Sequence, residues 1–264
     1  MAELEDKDDK YSIKAAVRCL KLMDYATTLA RPVTIGDVCK ELDTNSNMAF
    51  RMLNTLATAG YMSRDEVSGG YRISLKSLLL SRSALQSLEI RRITMPYLEL
   101  LWNQFPKANA NLGVRYEDAI LLIDRIDTQS LPRTYFTPGK ELPFYCSGIG
   151  KVLTAFRSNQ EIDNLIAKTN FKAYTAYTVT DPKKIKEELE RVRQEGVGRD
   201  REEFVTNDNC SAAPIRDAHG QVIAAISLSA LETNMSQDEI EAALPKVKET
   251  ADRISSLIGY DHLA

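Results

Sequence analysis

Histidine is nearly absent from this chain, with only His219 and His262 among 264 residues. One falls in an expected turn and the other beside the C-terminus. Neither suits a Ser-His-Asp triad, a Cys-His pair or a histidine-rich metal site. Cysteine is almost as sparse. Cys19, Cys39, Cys146 and Cys210 are scattered without a CxxC spacing, so they read as reduced thiols of a cytoplasmic protein, not a disulfide frame or a zinc site. No apolar run approaches the roughly 20 residues of a membrane span. The N-terminus is acidic, not basic and apolar, so no signal peptide is expected. Internal repeats and a GxxxxGK[ST] phosphate loop are also missing. These absences point away from catalysis, metals, cofactors and membranes, and towards binding.

Neither sign of charge dominates, and the net charge is −3. Its distribution is more informative than its sum. Residues 1–10 carry −3, residues 11–75 carry +2, and the remainder carries −2. The length suits two domains with a sizeable core, and a content of 44% hydrophobic and 27% charged residues is that of a soluble globular protein.

The most organised stretch is residues 34–72, TIGDVCKELDTNSNMAFRMLNTLATAGYMSRDEVSGGYR. Thr34 can cap a first helix with Asp37 three residues on, a capping box with a shorter acid. The pattern breaks at Leu42-Asp43-Thr44, and Asn45, Ser46 or Asn47 can cap a second helix. In that helix Ala49, Met52, Leu53 and Leu56 form one apolar face. Asn47, Phe50, Arg51, Asn54 and Thr58 form another, mostly polar with a single cation. Gly60 ends the helix, and residues 61–64 and 71–73 flank a Gly69-Gly70 turn as a hairpin. Two packed helices and a hairpin occur in many α+β proteins. The polar face with a central arginine, and a hairpin carrying Arg64 and Arg72, favour a winged helix-turn-helix whose second helix enters the DNA major groove. A net +2 is a weak footprint on phosphate, so DNA binding would need two or more copies of the module per site.

Around this stretch, residues 1–10 read as a disordered tail and residues 12–28 as a helix burying Ile13, Ala16, Val17 and Leu20. Residues 75–88 read as a connecting helix whose apolar side (Leu75, Leu78, Leu79, Leu85) needs a partner. The next helix carries Ile93, Tyr97, Leu98, Leu101, Trp102 and Phe105, and begins or kinks at Pro96. Strands are expected at 111–115 and 120–126, and helices at 148–156, 160–167 and 182–195. A hairpin is expected at 209–216 and 221–229, and a last helix at 236–257. The chain therefore divides into a DNA-binding module at 11–75, a linker helix at 76–92 and a mixed α+β sensor-like domain at 93–264.

Three features of the second domain carry chemistry. In LPFYCSGIGKVLTAF, residues 142–156, small residues open an amphipathic helix whose amides could meet a carboxylate or phosphate. The glycines there could equally serve tight packing. On the strand from Val222 to Ser229, Ala225, Ser227 and Ser229 share a small, hydroxylated face, which suits either a polar ligand or solvent. Asp200 sits in an acidic RDREE run that would ordinarily be solvated. Cys210 precedes Ser211-Ala212-Ala213-Pro214, small residues that suit a crowded strand.

With these segments in order, the chain resembles the IclR family of bacterial transcriptional regulators from about residue 12 to residue 258. The N-terminal likeness lies in AAVRCLKLM, TIGDVCKEL, MAFRMLNTLATAGYM and YRIS. The C-terminal likeness is more specific, in LPFYCSGIGKVLTAF, Tyr174-Thr175, TDP at 180–182, GVGRDREE, NCSAAPIRD and GQVIAAISLS.

The resemblance implies an α+β protein, in which a winged helix-turn-helix is joined by a linker helix to a GAF-like mixed α/β effector-binding domain. It further implies a homodimer formed through the DNA-binding domains and often a dimer of dimers. Residues 47–59 become the DNA-reading helix, with Arg51 at the family's usual arginine. The candidate DNA contacts are Thr34, Asn45, Ser46, Asn47, Phe50, Arg51, Asn54, Arg64 and Arg72. The candidate effector contacts are Ser147, Gly148, Ile149, Asp200, Cys210, Ser227 and Ser229. The family's turn usually has Gly where Asp43 stands, and its helix usually opens with Ser-Thr where this chain has Asn47-Met48.

Amides and serines would hold a carboxylate, and Asp200 would repel it unless it accepts a hydrogen bond. The favoured effector is therefore a small hydroxy or keto acid, or an aromatic acid. The competing readings are an enzyme acting on a small acid through Cys210 or Asp200 with an appended DNA-binding module, and a ligand-free interaction protein.

Overall fold

The computed structural model describes residues 11–260. The tail expected at 1–10 and His262 lie outside the described residues. The chain forms two compact units that divide between Ser87 and Leu88.

The first unit contains α1 (Lys14–Thr28), α2 (Ile35–Glu41), α3 (Ser46–Thr58), β1 (Met62–Arg64), β2 (Tyr71–Ile73) and α4 (Ser77–Ser87). Both halves of the capping box form at α2, with Asp37 N–H donating to Thr34 Oγ1 at 3.2 Å and Thr34 N–H to Asp37 Oδ2 at 2.9 Å. Asn45 caps α3, its Oδ1 accepting from Met48 N–H at 2.9 Å. β1 and β2 pair antiparallel, and Val33 exchanges two 2.8 Å hydrogen bonds with Tyr71 to extend this small sheet. Leu22, Val33, Val38, Ala49, Leu53, Leu56, Met62 and Tyr71 form the core.

One expected face of this unit is corrected. Ile13 and Leu20 are 73% and 59% exposed, and Ala16 is exposed too, whereas Leu22 and Ala26 are buried with Cys19 and Met23 packed beside them. Two apolar stripes share α1, about 120° apart at 100° per residue, and periodicity alone could not say which one meets α3. α4 buries none of its residues, and Leu78, Leu79 and Leu80 are all more than half exposed.

The second unit contains α5 (Glu89–Gln104), β3 (Asn109–Tyr116), β4 (Ala119–Ile126), α6 (Gly148–Ala155), α7 (Asn159–Lys168), α8 (Pro182–Glu195), β5 (Gly198–Arg201), β6 (Asp208–Arg216), β7 (Val222–Leu231) and α9 (Gln237–Leu257). The sheet runs β4-β3-β7-β6-β5 with every pairing antiparallel. α5 and α9 pack together on one side of it, and α6, backed by α8, packs on the other. Pro96 lies inside α5, so of its two expected roles the helix start is excluded; it is exposed, so water can serve the carbonyl whose helical donor the ring removes. One expectation is corrected here. Asp200 in the acidic run is not solvated, because residues 198–201 form the edge strand β5 and Asp200 is 4% exposed.

The helix-turn-helix turn contains the main backbone irregularity of the first unit. Asp43 has φ +43°, the left-handed conformation that glycine adopts without strain. Arg18 Nη2 closes the end of α2 by donating to Leu42 O at 2.7 Å. Asp43→Gly should leave urea stability equal or raised, whereas Asp43→Val should lower it by about 1–2 kcal/mol. Equal stability of the two variants would contradict the strained turn.

Candidate functional site

Each unit carries one candidate site. On α3 the apolar face is spent in the core, which leaves Ser46, Asn47, Phe50, Arg51 and Asn54 exposed on the outer face. Asn45 and Thr34 stand at helix N-termini with their side chains committed to capping; the Thr34 hydroxyl also donates to Asp37 Oδ2 at 2.8 Å. In the hairpin, Asp65 Oδ1 accepts from Ser68 N–H and Oγ–H at 2.8 and 2.7 Å, which folds the wing tip. Arg72 pairs with Asp65 at 3.0 Å, so part of its charge is already used, whereas Arg64 is exposed on the neighbouring strand.

The second site is a pocket between the sheet and the N-terminus of α6. Strand register explains its floor. One row across the sheet reads Arg125, Asn111, Ser227, Ala212, Gly198; the next reads Asn109, Ser229, Cys210, Asp200. The first row shrinks to a methyl and then to a hydrogen beneath α6. A Cβ at Gly148 would lie 3.0 Å from Cys210 Sγ and 3.4 Å from Ala212 Cβ, so glycine lets the helix start touch the sheet. Ser147 caps α6, accepting from Gly150 N–H at 3.1 Å and donating to Pro143 O at 2.7 Å. All seven sequence-predicted effector residues, Ser147, Gly148, Ile149, Asp200, Cys210, Ser227 and Ser229, line this one cavity.

Sequence reasoning missed Asn111, Arg125, Phe136, Phe204 and Asp208, which line it with them. Their one signal was an Asp124-Arg125 pair inside the otherwise apolar run of β4. The two side chains part to opposite faces, and Asp124 is held by Arg91 at 2.6 Å. Phe136 and Phe204 stack with centroids 5.5 Å apart, and Arg125 lies 5.5 Å over Phe136. The free volume is about 30 Å³, room for about one water, so an organic ligand needs the cavity lining to rearrange.

Burial governs the titration of the floor. It drives the Asp200 carboxyl well above the ordinary range, with Glu203 adding to the effect and Lys151 opposing it. It also pushes the Cys210 thiol up. A protonated, buried thiol is a poor nucleophile, which weighs against the Cys210 branch of the enzyme reading. Asp208 is pushed up to about 7 by burial, against the charge of Arg125, and its buried Oδ1 has no hydrogen-bond partner among the described residues.

An unfolded aspartate loses its proton near 3.8, whereas folded Asp208 keeps it to about 7. The native state therefore binds more protons across that window, and stability falls as pH rises from about 4 to about 7. Asp208→Asn should lose less urea stability than wild type between about pH 4.5 and about pH 7.5. An identical loss in both would contradict the buried acid.

Comparison with known proteins places the chain in a family. Residues 82–256 match the family described as bacterial transcriptional regulator IclR, C-terminal. An uncharacterized HTH-type transcriptional regulator of Haemophilus influenzae is 30% identical over 264 residues, covering 98% of this chain and 97% of that one. The HTH-type transcriptional regulator KdgR of Escherichia coli K12 is 29% identical over 260 residues, covering 98% and 97%. The fold matches the crystal structure of an IclR homolog complexed with 4-hydroxybenzoate from Microbacterium hydrocarbonoxydans, with TM-score 0.71, 21% identity, and 92% and 97% of the two chains covered. The chain therefore belongs to the IclR family, as a helix-turn-helix transcriptional regulator with a C-terminal effector-binding domain.

Proposed function

We propose that α3 and the wing read a double-stranded DNA operator, and that a small organic acid in the pocket modulates this binding. The observation that carries the effector half is the convergence of all seven predicted residues on one cavity whose wall also holds a buried arginine. The convergence supports recognition of a carboxylate by α6 amides, serine hydroxyls and a cation together. Burial raises the pKa of Asp200, which weakens the expected repulsion of an acid and favours a bond from its carboxyl to a hydroxyl or carbonyl. The effector class is a hydroxy or keto acid or an aromatic acid. The Microbacterium homolog's 4-hydroxybenzoate carries a carboxylate and a hydroxyl, which fits this class.

Among the DNA contacts, Arg51, Asn47 and Asn54 are placed to face base edges, with Ser46, Phe50, Asn45 and Thr34 around them and Arg64 and Arg72 on the wing towards phosphate. A homodimer supplies the second half-site that a weakly charged module needs, and a dimer of dimers extends it. The exposed Ile13 and Leu20 of α1 and Leu78, Leu79 and Leu80 of α4 supply apolar surface for self-association. The protein works in the cytoplasm, where its DNA lies.

Fluorescence anisotropy against DNA from upstream of the protein's own gene tests the operator half. Arg51→Ala should weaken binding by about 1–3 kcal/mol and reduce discrimination against a scrambled duplex. Equal, salt-labile binding of both duplexes by wild type would contradict it. For the pocket, Asp200→Asn should change the affinity ratio of lactate to propionate, because only lactate offers a hydroxyl. An unchanged ratio would remove Asp200 from effector recognition.

A further inference from the structure

Arg125 lies on β4 with its side chain only 3% exposed, and its guanidinium is held at each nitrogen. Nε donates to Asp127 Oδ1 at 2.6 Å, and Nη2 donates to Thr134 O at 3.0 Å and Thr134 Oγ1 at 2.8 Å. Nη1 donates to Asn111 Oδ1 at 3.2 Å. A guanidinium has five N–H groups, so one hydrogen on Nη1 is left beside the cavity after these four bonds.

The bond to Asn111 has a second consequence. Arginine can only donate, so the oxygen of the Asn111 amide must be the atom turned towards it. The amide nitrogen is thereby turned to β7, where it donates to Ser227 Oγ at 3.1 Å and Ser229 Oγ at 3.3 Å. An amide nitrogen cannot accept, so both serine oxygens are acceptors in these bonds. Their own O–H groups must point elsewhere; both serines line the cavity, where the Ser227 hydroxyl also meets the Cys210 sulfur. The row of cation, amide and hydroxyls is a polarised relay that runs in one direction across three strands.

We propose that Arg125 is the cation that receives the effector's carboxylate, and that Asn111, oriented by Arg125, sets Ser227 and Ser229 as donors, so that the pocket selects carboxylates over the matching uncharged amides. This rests on the effector reading above and deepens it. Arg125 is the contact residue, and Asn111 is a positioning residue that acts through the serines. Among the described residues, Arg125 is the only lysine or arginine lining the cavity. Its partner Asp127 is at the Nε edge with a side chain 43% exposed, which leaves the Nη1 edge for a ligand.

Isothermal titration of the full chain with acid and amide pairs tests this, using pyruvate and pyruvamide, lactate and lactamide, and 4-hydroxybenzoate and 4-hydroxybenzamide. Wild type should bind at least one acid more than about tenfold tighter than its amide, as expected for a charge-assisted bond. Arg125→Met should bring that ratio to within about twofold, whereas Arg125→Lys, which keeps the charge and loses the fork, should retain part of it. Asn111→Asp should also weaken acid binding more than amide binding, because its carboxylate would draw the serine hydrogens to itself. Thr134→Val removes a structural anchor of Arg125 but not the cation, so it should keep the wild-type ratio. Full acid preference in Arg125→Met, or its equal loss in Thr134→Val, overturns the proposal while the effector reading stands. If wild type binds none of the acids, the effector reading fails and takes this proposal with it.

Discussion

A lysine ammonium buried in the second unit fixes much of what surrounds it. Lys151 is 1% exposed, and taking its charge out of water would cost several kcal/mol without partners. It finds them in Arg199 O at 2.7 Å and Glu203 Oε1 at 2.5 Å, with Glu188 at 3.6 Å. These partners come from β5, from the segment after it and from α8, so one charge ties α6 to three neighbours. Glu203 in turn donates its N–H to Asp200 Oδ1 at 2.8 Å. The position of Asp200 at the pocket floor is thus set by a chain of contacts that begins at a residue outside the cavity lining. Breaking the pair would leave an uncompensated charge in the core, and the start of α6 would lose its anchor over the sheet.

The first unit follows a different economy. Its stability comes from a small apolar core and from caps at α2 and α3, and its outer face is left to polar side chains. Several of its cations are engaged internally, as in Arg31 with Asp37 at 2.6 Å and Arg72 with Asp65 at 3.0 Å. Long-range attraction to phosphate is therefore modest. On the proposed reading, selectivity comes from direct base contacts by α3 and from repetition of the module along the duplex.

Local rules made most of this architecture legible in the sequence. The Thr34 and Asp37 box, the apolar spacing of α3 and the Gly69-Gly70 turn were each readable because their causes lie within a few residues. The serine face of β7 was readable for the same reason, since strand alternation is a local property. What escaped was non-local. Arg125 interrupts an apolar strand, but it and Asn111 become a unit only when β3 and β4 pair in this register. β5 was hidden because Arg199 pairs with Glu241 of α9 and Asp200 is buried, both through contacts distant in sequence. The buried stripe of α1 depended on which of two faces met α3, a tertiary choice that periodicity cannot make.

The central claim is that occupation of the pocket and reading of DNA are thermodynamically linked. The most direct measurement is the affinity of the full chain for its operator at increasing concentrations of an acid that binds it, in wild type and in a Ser227→Ala/Ser229→Ala double variant. The account predicts that the acid shifts operator affinity in wild type, with a reciprocal shift in acid affinity when DNA is bound. It also predicts that the shift disappears in the double variant while DNA affinity without acid is retained. Operator affinity independent of acid in wild type, with the acid demonstrably bound, would contradict it.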